Sequence, residues 1–114
     1  MNTEGEPRRT LSDGTQIYPG HREIITEGPQ AGQQRGYVVL AEEERAKGFV
    51  RPVRRSYRHL ACGTVTTMGQ TLAETYARDP RFYSGTFCCG CGTHFPVGAD
   101  GQFVWDGTNE RVGT

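Results

Sequence analysis

Four side chains in two short turns have the types and the spacing of a metal site. His59 and Cys62 form one pair, and Cys88 and Cys91 form the other, each with two residues between its members. One imidazole and three thiolates match a closed structural zinc site, in which four protein side chains surround the ion as a tetrahedron. The sequence therefore predicts one Zn²⁺ ion with the ligands His59, Cys62, Cys88 and Cys91.

A glycine follows the last ligand of each turn, and this position has a physical reason. Two side chains from one tight turn reach the same ion only if the backbone folds back within a few residues. The residue after the second ligand then often needs a positive φ, which glycine adopts without steric cost. Gly63 and Gly92 stand at these positions, so we expect the two turns to face each other across the ion.

Neighbouring residues leave alternatives to this ligand set open. His94 follows Cys91 at an acceptable spacing and can replace His59. Cys89 lies inside the second turn, where its side chain should point away from the ion. Iron bound as in rubredoxin is a second choice of metal, although a histidine ligand favours zinc. Two disulfides in a secreted domain are a further alternative, but the adjacent Cys88 and Cys89 are awkward disulfide partners.

The paired turns resemble the knuckles of zinc ribbons and rubredoxin-like modules. The second turn, within residues 87–97, looks most like a ribbon knuckle that runs into a β-strand, and the resemblance extends over residues 57–105. It implies a small, β-rich, metal-stabilised module, from whose usual four-cysteine pattern His59 departs. Residues 47–59, which lead into this module, are similar to small zinc proteins of tailed phages. That similarity implies a viral or prophage origin but no activity.

Composition and charge restrict the class of protein. The 114 residues suit one domain, and only 34% of them are aliphatic, aromatic or cysteine, so we expect a thin core that a metal supports. The formal net charge of zero weighs against a dominant nucleic-acid surface. The polar N-terminal residues do not resemble a signal peptide, and no stretch is apolar enough to span a membrane. We therefore expect a cytoplasmic or virion protein that is not secreted and has no membrane partner.

The pattern of apolar and turn-forming residues predicts a small α+β fold in three parts. Residues 1–22 form an extended N-terminal arm. Residues 23–56 form a β-hairpin, with strands at 23–26 and 36–40, and then a short helix and a basic strand. Residues 57–114 form the zinc-ribbon-like module, with a helix inserted between the knuckles and with C-terminal hairpins.

The helices and one hairpin can be placed more closely. The short helix is expected over residues 41–48, because acidic side chains at its start and basic ones at its end match the helix dipole. The inserted helix is expected to begin at a threonine cap, either Thr67 or Thr71. Strands at 94–97 and 102–105 are expected to pair with each other across a glycine-containing turn.

A basic stretch before the first knuckle is predicted to be a contact surface. It is expected to form an edge strand over residues 51–58, and the aromatic C-terminal hairpin extends the surface. The predicted contact residues are Arg51, Arg54, Arg55, Tyr57, Arg58, Phe103 and Trp105. Arginine makes fixed, bidentate contacts with carboxylates and phosphates. Acidic proteins and nucleic acids are therefore both candidate partners, and a third interpretation is an edge strand whose charges only discourage aggregation.

The ligand count also bears on catalysis. Four protein ligands leave no open position for a catalytic water, and the sequence contains no His-Glu-x-x-His motif or glycine-rich phosphate loop. We therefore expect a non-enzymatic, zinc-stabilised interaction module that docks onto a larger protein assembly, for example a phage virion component or a host-factor binder. A nucleic-acid-binding zinc ribbon that uses residues 51–58 is the first alternative. A thiol redox enzyme that uses Cys88 and Cys91 is the second.

Overall fold

Seven short strands and two helices make up the part of the chain that the structure describes, residues 7–114 of a computed structural model. All strand pairs are antiparallel. Together with the helices they form a small α+β fold, as the sequence predicts. In chain order the elements are β1 (Arg9–Leu11), β2 (Val38–Leu40), α1 (Glu42–Arg45), β3 (Ser56–His59), β4 (Val65–Thr67), α2 (Gln70–Arg78), β5 (Gly85–Cys88), β6 (Thr93–Pro96) and β7 (Phe103–Trp105).

The strands form three small sheets. β1 pairs with β2, β3 lies between β4 and β7, and β5 pairs with β6. Side chains from the three-stranded sheet, α2 and β5 meet in a single cluster. Its buried members are Tyr57, Met68, Ala73, Tyr76, Cys88, Phe103, Trp105 and Val112. One predicted metal ligand, Cys88, is therefore part of the hydrophobic core.

β3 positions both the core and the metal site, because successive side chains of a strand point to opposite faces. Tyr57 and His59 are buried, and the alternate positions are half-buried. The predicted basic strand over residues 51–58 is a strand only from Ser56 onward. Pro52 has no amide hydrogen to donate to a strand ladder, so the residues before Ser56 stay irregular.

The N-terminal residues pair differently from the prediction. β1 lies within the predicted arm, and it is β1, not residues 23–26, that pairs with β2. Residues 23–26 retain only an isolated bridge between Ile24 and Gln34. Apolar burial explains the difference, because Leu11 of β1 is 4% exposed whereas Ile24 is 48% exposed. Residues 1–6 of the predicted arm lie outside the described residues.

Both predicted helices are present, although their ends differ from the prediction. α1 has only four residues. α2 buries Ala73 and Tyr76 against the core, as its apolar spacing predicts. Neither predicted threonine caps α2: the N-cap is Gly69, and the Thr71 hydroxyl donates to the carbonyl of Ser12 instead. Within residues 7–114, neither helix has the length and apolar character needed to cross a bilayer.

The predicted pairing of the two C-terminal strands does not form. β6 pairs with β5, and β7 pairs with β3, although the amide of Gly101 still closes a turn with the carbonyl of Gly98. On its other side β7 meets the end of the chain, through a bridge between Val104 and Arg111. All three residues of β7 are buried. Burial of this apolar strand between two neighbours therefore outweighs the local turn.

Candidate metal centre

The four predicted ligands lie at the ends of two strands and in the turns that follow. His59 ends β3, and Cys62 lies in the next turn. Cys88 ends β5, and Cys91 lies in the corresponding turn. In each pair the first ligand is buried and the second is exposed. Each turn is thus anchored to the core by one ligand and presents the other at the surface.

A glycine in the left-handed conformation closes each turn, as the spacing predicts. The φ angle is 78° at Gly63 and 72° at Gly92, a region that other residues rarely adopt. The Gly63 amide donates to the His59 carbonyl at 2.7 Å, and the Gly92 amide donates to the Cys88 carbonyl at 2.8 Å. In the first turn the amide of Thr64 also donates to the sulfur of the preceding ligand, at 3.5 Å.

The ligand atoms have the separations expected around one zinc ion. All four lie within 4.8 Å of one another. The His59 Nδ1 atom is 3.3 Å from the Cys62 sulfur and 3.6 Å from the Cys91 sulfur. The sulfurs of Cys62 and Cys88 are 3.6 Å apart. Typical zinc bond lengths place tetrahedral ligands about 3.5 Å apart for nitrogen and sulfur, and about 3.8 Å apart for two sulfurs. The residues therefore fit a metal ion of this size.

A hydrogen bond on the far side of the His59 ring fixes which nitrogen faces the sulfurs. Nε2 lies 2.7 Å from the side-chain oxygen of Gln102. An amide oxygen only accepts, so Nε2 carries the proton and Nδ1 keeps its lone pair for a metal. The ring also packs against Phe95 and Phe103, whose centroids lie 4.4 and 4.8 Å from its own. These contacts hold the imidazole in the orientation that a ligand needs.

Gln102 is a residue of the site that the spacing argument misses. It directly precedes β7, whose Phe103 is paired with His59 across the sheet. The backbone carbonyl of Gln102 also accepts a hydrogen bond from the Leu60 amide at 2.8 Å. A glutamine has no ligand signature of its own. Its place beside His59 depends on the pairing of β7 with β3, and the apolar run of β7 was the only sequence signal for it.

The thiols of the cluster influence one another's ionisation. Hydrogen bonds, first of all from Thr64, lower the pKa of the Cys62 thiol to about 6. Desolvation and the neighbouring sulfurs of Cys62 and Cys88 raise the pKa of Cys91 to about 11. One thiolate therefore forms readily, and it makes a second one beside it unfavourable. A divalent cation removes this conflict, because its charge compensates several thiolates at once.

The alternative ligands lie outside the cluster. The Nε2 atom of His94 is 2.9 Å from the Tyr37 hydroxyl. Cys89 is exposed, and its sulfur contacts the Thr66 hydroxyl at 3.4 Å and the Val65 carbonyl at 3.6 Å. All four cysteines are free thiols. The geometry thus favours the ligand set that contains His59.

Several predicted contact residues belong to the core. Tyr57, Phe103 and Trp105 are each at most 3% exposed, so their rings do not face a partner. Arg54 is half-buried, stacks over Trp105 at 4.8 Å and pairs with Glu110 at 2.8 Å. A chain with few large apolar side chains needs these rings for its own core, which corrects the predicted surface at these positions.

The other three arginines remain at the surface. Arg51 and Arg55 are exposed, and Arg58 is half-buried. The Arg55 guanidinium donates to the Met68 carbonyl at 3.0 Å, and that of Arg51 donates to the carbonyl of Thr114 at 3.3 Å. Within residues 7–114, no carboxylate pairs with any of the three.

Comparison with known proteins finds no relative of this chain. The chain matches no protein-family model, no curated protein and no solved structure. What it presents is a cluster of one imidazole and three thiols that can hold a metal ion, built on a small α+β fold.

Proposed function

We propose that the chain is a non-enzymatic, zinc-stabilised interaction module that docks onto a larger protein assembly. The observation that carries this proposal is the set of four protein ligand atoms within 4.8 Å of one another. Structural zinc sites use four protein ligands, whereas catalytic sites keep one position open for water or substrate. His59, Cys62, Cys88 and Cys91 fill the tetrahedron and so favour a structural role.

A metal at this position adds a bond between two sheets that pack against the same core but share no strand pairing. His59 and Cys62 belong to the three-stranded sheet, and Cys88 and Cys91 belong to the β5–β6 sheet. A structural zinc ion contributes about 10–16 kcal/mol of apparent binding free energy near neutral pH. That energy supports a small core and gives the surface of the module a fixed shape.

The contact surface that we assign to the module combines arginine with exposed apolar side chains. Arg58 on β3 lies opposite Val65 on β4, and both Val65 and Leu60 are more than 40% exposed. Arginine beside apolar side chains is typical of the centre of protein interfaces. We infer a protein partner with an acidic and apolar surface, such as a virion or host-factor protein.

Metal analysis and partner capture test the two halves of this proposal. Elemental analysis of the purified chain is expected to give one zinc ion per chain. Tagged protein expressed in its native host is expected to co-purify with a stoichiometric partner assembly, which the substitutions Arg58→Glu and Val65→Asp release. Arg81→Glu changes an exposed charge elsewhere and serves as the control. The proposal is contradicted if the purified chain lacks stoichiometric metal, or if the partner co-purifies equally well with Arg58→Glu and with Val65→Asp.

A second candidate function is nucleic-acid binding, which the same three surface arginines favour. Arg51, Arg55 and Arg58 form no ion pair with an aspartate or glutamate of residues 7–114. Those N–H groups of Arg51 and Arg55 that do not donate to backbone carbonyls, and the guanidinium of Arg58, are available to phosphates. Binding through phosphate contacts weakens steeply as the salt concentration rises. A gel shift with short DNA and RNA at low ionic strength separates the two functions. No shift at low salt removes this candidate, and a salt-sensitive shift replaces the protein-docking proposal.

A further inference from the structure

A cleft lies where the N-terminal strands meet the β5–β6 sheet. Its volume is about 340 Å³. Arg9 of β1, His21, Arg22 and Tyr37 from the residues before β2, and His94 of β6 are among its lining residues. None of the four metal ligands lines this cleft. It is therefore separate from the metal centre.

The cleft is positively charged although the chain as a whole is neutral. Arg9 and Arg22 both line it, and no aspartate or glutamate does. Neither arginine forms an ion pair with a carboxylate of residues 7–114, whereas five other basic residues do. Two guanidinium groups at one concave surface, with no opposing charge in its lining, attract an anion.

Neighbouring side chains hold the lining groups in place. The Arg9 guanidinium carbon lies 5.0 Å from the centre of the Phe82 ring. The Tyr37 hydroxyl accepts a hydrogen bond from the Gln34 amide at 3.2 Å and lies 2.9 Å from His94 Nε2. Burial raises the pKa of Tyr37 and lowers the pKa of His94, so the protonated hydroxyl donates to a neutral imidazole. Arginine keeps its charge throughout the physiological pH range, so Arg9 and Arg22 give the cleft a fixed positive charge.

We propose that this cleft binds a small phosphate-bearing molecule through Arg9 and Arg22. A guanidinium group matches two phosphate oxygens with parallel hydrogen bonds. Two guanidinium groups compensate the charge of about −2 that a phosphate monoester carries near neutral pH, whereas a single carboxylate would leave one of them unpaired. The volume lies at the lower end of the roughly 300–1,000 Å³ range of ligand pockets. This size suits a mononucleotide or a smaller ligand, and Phe82 and Tyr83 offer apolar surface to its organic part.

The test is a titration of the full-length, isotope-labelled chain followed by amide chemical shifts. The probes are inorganic phosphate, a nucleoside monophosphate and, as the control anion, acetate, all at one ionic strength. Saturable shifts are expected for the phosphates at the lining residues Val38, Ser84 and Gly85. Arg9→Gln and Arg22→Gln are each expected to weaken the affinity at least tenfold. The control Arg81→Gln, which removes a charge beside the cleft from a residue that does not line it, is expected to leave the affinity unchanged.

The outcomes separate phosphate recognition from other causes. Arg9→Lys keeps the charge but loses the planar fork, so an intermediate affinity supports bidentate binding. Equal saturation by acetate, or an unchanged affinity in the double variant Arg9→Gln, Arg22→Gln, overturns the proposal. A short oligonucleotide that binds more tightly than the mononucleotide through the same arginines also overturns it, in favour of a nucleic-acid surface. The thermal melt and metal content of each variant identify misfolding. The docking proposal survives any of these results, because it rests on other residues.

Discussion

The two knuckles differ from the N-terminal residues, which here are residues 7–40 with β1 and β2, in the contacts that order them. Each knuckle is closed locally, by a backbone hydrogen bond between the first ligand and the glycine that follows the second. Residues 7–40 also contain local turns, such as the one that the Leu11 amide closes with the Thr15 carbonyl at 2.9 Å, but few of their apolar side chains are buried. The buried apolar side chains of β1 and β2 are Leu11, Val39 and Leu40. Their order therefore depends on elements that are distant in the chain.

Hydrogen bonds to residues 57–114 supply much of that dependence. The Tyr83 hydroxyl donates to the Val38 carbonyl at 2.6 Å, and the Thr71 hydroxyl donates to the Ser12 carbonyl at 2.9 Å. A single hydrogen bond contributes a net of about 0.5–1.5 kcal/mol, far less than the roughly 10–16 kcal/mol of a structural zinc ion. We therefore predict a dependence in one direction: β1 and β2 are expected to need residues 57–114, and those residues are expected to need the proposed metal.

Removal of a buried ligand is expected to have the largest effect on this relation. Cys88→Ser weakens a metal site worth about 10 kcal/mol or more and places a hydroxyl in a fully buried core position. We expect loss of the cooperative thermal transition in circular dichroism and loss of bound metal. Cys89→Ser is the matched control, because this neighbouring thiol is exposed and lies outside the ligand cluster. Equal melting temperatures for the two variants would show that the module does not depend on its metal.

A core substitution in the N-terminal residues tests the other direction. Leu11→Ala deletes the buried side chain of β1 and is expected to cost about 2–5 kcal/mol. We expect hydrogen exchange to accelerate in β1 and β2, while the amides of β3 and β5 stay protected and the metal content is unchanged. Ile24→Ala is the control, because that side chain is largely exposed. If β3 and β5 lose protection together with β1, the dependence is mutual and the proposed direction is wrong.

The local character of the knuckles explains why the sequence predicts them well. Ligand type, two-residue spacing and the positive φ of Gly63 and Gly92 are all encoded within a few residues of each turn. The strand partners are not encoded in this way. β6 and β7 are joined by a workable turn, yet β7 pairs with β3 because three consecutive apolar residues are buried there. Such a choice depends on the whole core and not on the turn.

The face of a side chain is equally hard to predict from a short pattern. Tyr57 and Arg58 are adjacent in β3, but the first is buried and the second is half-buried on the opposite face. A basic and aromatic stretch therefore indicates an interface only where the rings are not needed by the core. With few apolar residues in the chain, Phe103 and Trp105 are buried as well. The expectation of a thin core therefore implies that these aromatic side chains are buried.

An alkaline titration tests the contact between the two strands that carry the knuckles, through a buried tyrosine. The Tyr57 hydroxyl donates to the Phe87 carbonyl and so connects β3 with β5. Burial raises the pKa of Tyr57 to about 12. Since the folded pKa lies above the unfolded value of about 10, the stabilisation is complete below pH 10 and is lost as the pH rises through 12, by roughly 2–3 kcal/mol.

The measurement is the free energy of unfolding at successive pH values, for the natural chain and for Tyr57→Phe. The variant lacks the ionising group, so its stability is expected to fall less between pH 10 and pH 12. Tyr76 and Tyr83 also have pKa values raised by burial, so some decline remains in the variant. Identical slopes for the two proteins would assign the alkaline loss to other groups.

The smallest effect is expected from the hydrogen bond between His59 and Gln102 in the metal centre. Gln102 accepts the hydrogen bond from His59 Nε2 at 2.7 Å, and loss of such a partner typically lowers metal affinity about 10–100-fold. Gln102→Leu is expected to produce this loss in a chelator competition, and Gln102→Glu, which keeps an acceptor oxygen, is expected to restore most of it. If Gln102→Leu binds metal as tightly as the natural chain, packing against Phe95 and Phe103 is enough to orient the imidazole. The orientation of His59 would then still depend on residues that are distant in the chain, and in this respect the first knuckle would resemble β1 and β2.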